Sequence, residues 1–274
     1  MHIMTGISFL TRLSHRAVIH ISGVDSREFL QRIVTHGPQG VAPGRAMASA
    51  LLTPQGKVLA DLIFFDDGAG GLYVDVPLSE AETLLKRFTL YRLRAKAELS
   101  LQNNLLVAAA SDENALPDGV LAVSPDPRAA MGLRAIVPVS AAVPDAPDAY
   151  KLSRYKALVT EMPLDYGPAE VFSTDVNHDL LHMIDYKKGC FVGQEVASRM
   201  HRKGGVRKRT VHLSGDVEFT PGLAVTAGDT PLGEVMSGGQ GEGLALVRVD
   251  RLATAAAPVL AGGGPVQVDL PGAA

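Results

Sequence analysis

Tryptophan is absent from these 274 residues, cysteine occurs once, and aromatic side chains make up only 5%. Each scarcity excludes something. One cysteine, Cys190, cannot close an intramolecular disulfide or supply a four-thiolate metal site. Few aromatics argue against a stacking platform for single-stranded nucleic acid. Charge of neither sign dominates: 26 Lys and Arg stand against 29 Asp and Glu, a net charge of −3. Nucleic-acid binding by bulk charge is excluded, and any basic surface must be local. No stretch approaches the roughly 18 apolar residues of a membrane span. The opening MHIMTGISFLTRL lacks a basic segment, a long apolar run and a small-residue cleavage site, so it makes a poor signal peptide. The expectation is a soluble protein of a reducing compartment, most simply the bacterial cytoplasm. The 46% hydrophobic content is that of a globular chain and excludes intrinsic disorder.

The length suggests about two domains. Arg16–Ser22 is a β-branched run and reads as a strand; Asp25 and Ser26 can then cap a helix over Arg27–Thr35. Ala46–Leu52 and Lys57–Phe65 flank a Thr-Pro-Gln-Gly turn and form a plausible hairpin. Leu72–Val76 is a further strand. Ser79 and Glu82 match a capping box, and the helix they open runs to about Arg92. Arg94–Leu101, Leu105–Ala110, Val120–Val123 and Leu133–Val137 read as strands, and Tyr150–Thr160 as a helix. Beyond Arg209, short strand candidates recur at Thr210–Leu213, Leu223–Thr226, Leu232–Val235 and Leu244–Val249. Their spacing is that of a small antiparallel barrel or sandwich. The composition places a domain boundary near Gly204–Gly205.

The segment with the most specific chemistry runs Lys-Gly-Cys-Phe-Val-Gly-Gln-Glu over 188–195. Gly189 and Gly193 permit backbone angles that other residues avoid. Gln194–Met200 has helix-forming composition, with Glu195 in its first turn, where a carboxylate suits the helix dipole. Cys190 therefore precedes a helix start, with Lys187 and Lys188 before it and Arg199 after it. Such surroundings favour a thiolate. The alternative is a small buried hydrophobe, since free cysteine is often buried.

The octapeptide resembles the signature of the YgfZ family, relatives of the folate-dependent T-protein of the glycine cleavage system. Gly23–Gln31, Leu52–Asp61, Phe88–Lys96 and Gly233–Arg248 resemble further segments of that family. The resemblance implies an α+β fold in a ring-like T-protein-type arrangement. Two α+β units, approximately 1–100 and 101–205 and conceivably interleaved, would precede a C-terminal antiparallel β-barrel over 206–274. It implies a folate-binding accessory protein that supports assembly or repair of iron–sulfur clusters in enzymes, tRNA-modifying ones included. Its partners would be iron–sulfur enzymes or assembly proteins. Cys190 would be the functional thiol, with Lys188, Gln194 and Glu195 around it. Tetrahydrofolate would meet Asp61, Arg94, Lys188, Gly189 and Arg199. A single thiolate cannot hold a cluster alone, so no stably bound metal is expected. The glycine-cleavage relatives carry two adjacent aspartates where this chain has Ala60-Asp61, and they lack the Lys-Gly-Cys element. Both differences weigh against the alternative of an aminomethyl transferase, whose chemistry needs controlled proton movement.

Other candidates carry a bland reading beside the functional one. Asp61 is either a pterin-binding carboxylate or a residue on a solvent-facing strand surface. Arg92 suits a helix C-terminus, and Arg94 either does the same or pairs with a folate carboxylate. The run Arg199–Arg209 holds six cations and no acid, which makes a tRNA-binding module the second alternative. His178 and His182 are four apart and would share a helix face, a spacing that metal ligands use.

Overall fold

The structure, a computed structural model, describes residues 8–202 and 206–272. By internal contact the chain forms two compact units that interleave along the sequence. The first takes residues up to Leu51, Ala60–Ser153 and His182–Val192, and the second takes Leu52–Leu59, Arg154–Leu181 and the chain from Gly193. The boundary expected near Gly204–Gly205 lies outside the described residues.

The first unit contains two antiparallel sheets. In chain order its elements begin with β1 (Leu10–Arg12), β2 (Arg16–Ser22) and α1 (Ser26–Gln31). There follow β3 (Met47–Leu52), β4 (Val58–Asp66), β5 (Leu72–Pro77), α2 (Ala81–Arg92) and β6 (Glu98–Leu101). Then come β7 (Leu105–Ala110), β8 (Ala122–Pro125), β9 (Leu133–Pro138) and α3 (Asp148–Lys156). One sheet has the order β3-β4-β5-β2-β6 and the other β1-β7-β9-β8. Strands β2, β4 and β5 are buried almost throughout, which explains why they read as apolar runs without clean alternation. Phe29 of α1 meets Phe88 of α2 edge to face, with ring centroids 6.4 Å apart. That pair is a favoured aromatic geometry and fixes the two short helices against each other.

Neither helix starts as its sequence suggests. Asp25 precedes α1 but makes no side-chain cap; its carboxylate accepts the Lys96 N–H at 2.7 Å. Gly23, at φ +103°, lets the same loop approach the 96–97 backbone, where a Cβ would lie 2.3 Å from the Lys96 carbonyl oxygen. Likewise α2 follows a short 3-10 turn over Leu78–Glu80, and no side chain caps it. In neither case does a side chain satisfy the first-turn N–H groups.

Charged side chains also lie deep inside this unit. Arg16 opens β2 and is 5% exposed. Its guanidinium donates to Asp61 of β4 and to Asp75 of β5, each at 2.6 Å. Arg134 of β9 donates to the other oxygen of Asp75 at 2.7 Å and also reaches the Tyr150 hydroxyl on α3. Arg128 pairs with Asp126 at 2.7 Å and lies 3.3 Å from that same hydroxyl. The three arginines balance the three aspartates, so the interior carries no net charge.

The second unit is built on a barrel. After α4 (Gln194–Arg202) come β10 (Lys208–Glu218), β11 (Ala224–Ala227), β12 (Thr230–Gly238) and β13 (Gln240–Arg248). Three short strands complete it: β14 (Val259–Ala261), β15 (Gly264–Pro265) and β16 (Gln267–Asp269). The order is β15-β14-β11-β12-β13-β10-β16, antiparallel wherever strands pair. The two edge strands, β15 and β16, are separated by Val266 alone, so the sheet returns on itself and leaves little open edge. Val211, Leu213, Phe219, Val235, Ala245 and Val247 fill its interior. Residues 154–181 group with this barrel through polar contacts. Asp179 takes both guanidinium nitrogens of Arg209 at 2.5 and 2.8 Å, and Asn177 donates to the Thr210 carbonyl at 3.0 Å. Residues 173–182 form successive turns rather than the helix face that His178 and His182 would need. His178 is fully buried 3.5 Å from the Tyr166 hydroxyl, and His182 is exposed at φ +56°.

The buried charges give a direct test. Replacing Arg16 by Leu removes the shared cation from Asp61 and Asp75, and breaking a buried pair in this way costs about 3–5 kcal/mol. Urea denaturation of the variant should show that loss. A change below about 1 kcal/mol would mean the two aspartates find other compensation.

Candidate functional site

The 188–191 segment is held at two points. Lys188 reaches from the loop to the Gln31 carbonyl at the end of α1, a position where a cation completes the last helical turn. Phe191, three residues on, is buried, and the Lys188 ammonium lies 5.2 Å from the centre of its ring. Between these anchors Gly189 adopts φ +98° with nothing within 4 Å of where a Cβ would stand. Cys190 is exposed. The buried-hydrophobe reading of this cysteine is therefore wrong: Phe191 fills the apolar site and turns its neighbour outward.

Gly193 is needed for a different reason. At φ +79° its Cβ would lie 2.5 Å from the Thr53 carbonyl oxygen and 3.2 Å from the Gly56 Cα. Gly56, at φ +82°, faces Val196 in turn, where a Cβ would come within 2.9 Å of the valine Cβ. The Thr-Pro-Gln-Gly turn and the start of α4 thus pack backbone to backbone within the second unit. Gln194 is half-buried and Glu195 exposed in the first turn of α4, and Arg199 is exposed in its last turn.

Electrostatics single out Lys188. Burial pushes its ammonium down from 10.5 to about 8, against the pull of Asp185 and of a charged Cys190 in the other direction. Asp185 is placed by its own N–H, which donates to the Thr35 carbonyl at 3.0 Å.

A cleft of about 1020 Å³ opens beside α1 and α2 in the same unit. Phe29, Ile33, Leu90 and Tyr91 supply its apolar lining, and Arg32, Arg92 and Arg94 its charge. Arg92 donates to the Ala97 carbonyl at 2.8 Å, which agrees with its structural reading at the helix end. Arg94 is exposed. Lys188 and Arg94 thus come to α1 and its cleft. Asp61 does not: it is 2% exposed, paired with Arg16, and absent from the cleft lining. Both readings of Asp61, as an open ligand carboxylate and as a solvent-facing strand residue, give way to an interior ion pair. In the second unit the basic run is thinner than its sequence. Arg199, Arg202, Arg207 and Lys208 are exposed, Arg209 is paired with Asp179, and Lys203 lies outside the described residues. No group of three or more His, Cys, Asp or Glu placed to hold a metal occurs among the described residues. No helix among them is long and apolar enough to cross a membrane.

Sequence reasoning missed the interior network of Arg16, Asp75, Arg134 and Tyr150. The signal was present as single charges inside apolar runs, LYVDVP and LRAIVP.

Comparison with known proteins agrees with this architecture. Residues 207–274 match the family model described as the CAF17 C-terminal beta-barrel domain. A Mycosarcoma maydis protein named iron-sulfur cluster assembly factor IBA57 homolog, mitochondrial, is 30% identical over 235 residues, covering 77% of this chain and 58% of that protein. The Neurospora crassa protein of the same name is 30% identical over 228 residues, covering 73% and 52%. The Mus musculus IBA57 factor is 29% identical over 280 residues, covering 88% of this chain and 78% of that protein. This chain is similar to the IBA57 assembly factors over most of its length. It spans little more than half the length of the two fungal relatives. Among solved structures, the glycine cleavage system aminomethyltransferase T from Bartonella henselae superposes with a TM-score of 0.73 at 15% identity, covering 97% of this chain and 85% of that one. The fold of this chain is accordingly that of the T-protein, with a nearly closed antiparallel barrel at its C-terminal end.

The lowered Lys188 value has a sign that can be checked. Below about 8 the side chain is charged both in the native state and in the unfolded chain. Between that value and the ordinary 10.5 only the unfolded chain holds the proton, so this group's contribution to stability rises with pH across that window. Competitive acetylation read by mass spectrometry should give Lys188 a midpoint near 8. A midpoint at the ordinary lysine value would remove the burial argument.

Proposed function

We propose that this chain supports assembly or repair of iron–sulfur clusters, with Cys190 as its functional thiol. The observation that carries the reading is the exposed sulfur, presented between a lysine anchor on α1 and a buried phenylalanine. One thiolate leaves a cluster short of ligands, so the remaining sulfur or thiolate comes from a partner protein or a small thiol. An iron–sulfur enzyme or assembly protein is the partner this requires, and tRNA-modifying enzymes are among the proposed clients. The names of the relatives support the assembly role. Those relatives are named as mitochondrial; for this chain we propose the cytoplasm.

Tetrahydrofolate is the proposed cofactor, supported by the T-protein fold. Two of the residues expected to hold it are engaged with groups of this chain. Asp61 is taken by Arg16, Lys188 by the Gln31 carbonyl, and Arg199 stands on α4 of the second unit. The same Arg16–Asp61 pair weakens the aminomethyl-transferase alternative, because a carboxylate locked in a buried ion pair is a poor proton acceptor for a substrate amine.

In a strain deleted for this protein, Cys190→Ala should fail to restore activity of a four-iron enzyme while melting at the wild-type temperature. Full restoration by that variant would end the thiol reading. Calorimetric titration of the wild-type chain with tetrahydrofolate should give saturable heat. A flat titration would leave the fold likeness without its cofactor.

A further inference from the structure

The outer side of α2 continues the cleft and is unusually apolar for a surface. Leu90 is 71% exposed and Leu93 is 85% exposed. Leu93 also adopts φ +50°, a conformation that costs a non-glycine residue energy and that clusters at functional positions. A second depression of about 350 Å³ along α2 adds Lys86 and Arg87, and it shares Leu90 and Tyr91 with the larger cleft. The two form one groove, because Thr83, Lys86, Arg87, Leu90 and Tyr91 follow helical spacing along a single face of α2, and Arg94 stands just past its end in the larger cleft.

The charge of this groove is net positive. Lys86, Arg87 and Arg94 lie along it. The acids at its rim are already engaged, Glu28 with Arg32 and Asp25 with the Lys96 N–H. Exposed leucines set among cations complement a chain that offers apolar side chains flanked by carboxylates. They add nothing to a phosphate backbone, which is why a nucleic acid fits less well. We infer that the α1–α2 groove docks an acidic amphipathic segment of a partner protein, its apolar side chains on Leu90 and Leu93 and its carboxylates toward Arg87 and Arg94. Helix-in-groove recognition uses this combination. The inference does not rest on the role of Cys190, although Lys188 ties the thiol loop to the same helix α1.

Fluorescence anisotropy of the full chain tests it with a labelled peptide of about 16 residues, carrying leucines on one helical face and glutamates on the other. Binding should weaken as salt rises and fall about tenfold or more in L90S and in R94E. Both side chains are exposed, and unchanged melting temperatures would show that the variants fold. The same peptide with lysine for every glutamate should not bind. Absence of binding, or equal binding to L90S, R94E and wild type, overturns the proposal. Equal binding of a single-stranded RNA oligonucleotide would assign the groove to nucleic acid. Displacement of the peptide by tetrahydrofolate would make it a small-ligand pocket. Concentration-dependent self-association lost in L90S would assign it to a second copy of the chain.

Discussion

Asp75 is the residue on which the first unit turns. It is fully buried on β5, and arginines from two different sheets hold its two oxygens. Arg16 comes from β2 of the five-stranded sheet, and Arg134 comes from β9 of the four-stranded one. A buried carboxylate is tolerable only when paired and hydrogen-bonded. The sheets must therefore meet in one register, because a shift of one residue would turn Arg134 to the opposite face. Tyr150 extends the same constraint to α3, with Arg134 and Arg128 both aimed at its hydroxyl. Apolar packing alone would be more permissive about how two sheets are placed. Paired charges of this kind specify the arrangement at the expense of desolvation.

That constraint bears on chemistry as well as on folding. Asp61 of β4 belongs to the same network, because Arg16 bridges it to Asp75. A side chain used in this way is part of the scaffold. Burial and the ion pair with Arg16 take the Asp61 carboxylate out of solvent. Cys190, the proposed functional thiol, lies elsewhere, on a loop, where exposure is compatible with a stable interior.

Much of this was legible in the residues. Strands β2 and β7 have the bounds that their apolar runs suggest, and α2 ends at Arg92 as its pattern implies. The barrel showed in its strand spacing, although β10 and β12 extend well beyond the apolar cores that marked them. The octapeptide located the thiol, and its two glycines have the positive φ that their place in the motif suggested. What was not legible depended on partners distant in sequence. Asp25 looked like a cap and instead serves residue 96, and Asp61 looked like half of a ligand site and instead serves Arg16. Periodicity reports which face a residue occupies; it carries no information on which charge will be opposite. Interleaving was allowed for, but its bounds escaped for the same reason, since residues 154–181 join the barrel through Asn177 and Asp179, whose partners lie about thirty residues ahead.

The exposure of Cys190 follows from its neighbours more than from itself. A cysteine beside apolar residues ordinarily buries. Here the segment contains one large apolar side chain, Phe191, and it occupies the available interior space. Gly189 supplies the left-handed turn that makes this possible, and Lys188 fixes the approach by binding the end of α1. That anchoring has a chemical consequence. The lysine nearest the thiol is half-buried, and desolvation lowers its proton affinity toward the physiological range. The three residues Lys188, Gly189 and Cys190 thus form one device, in which an anchor, a turn and a sulfur each depend on the packing of the next residue.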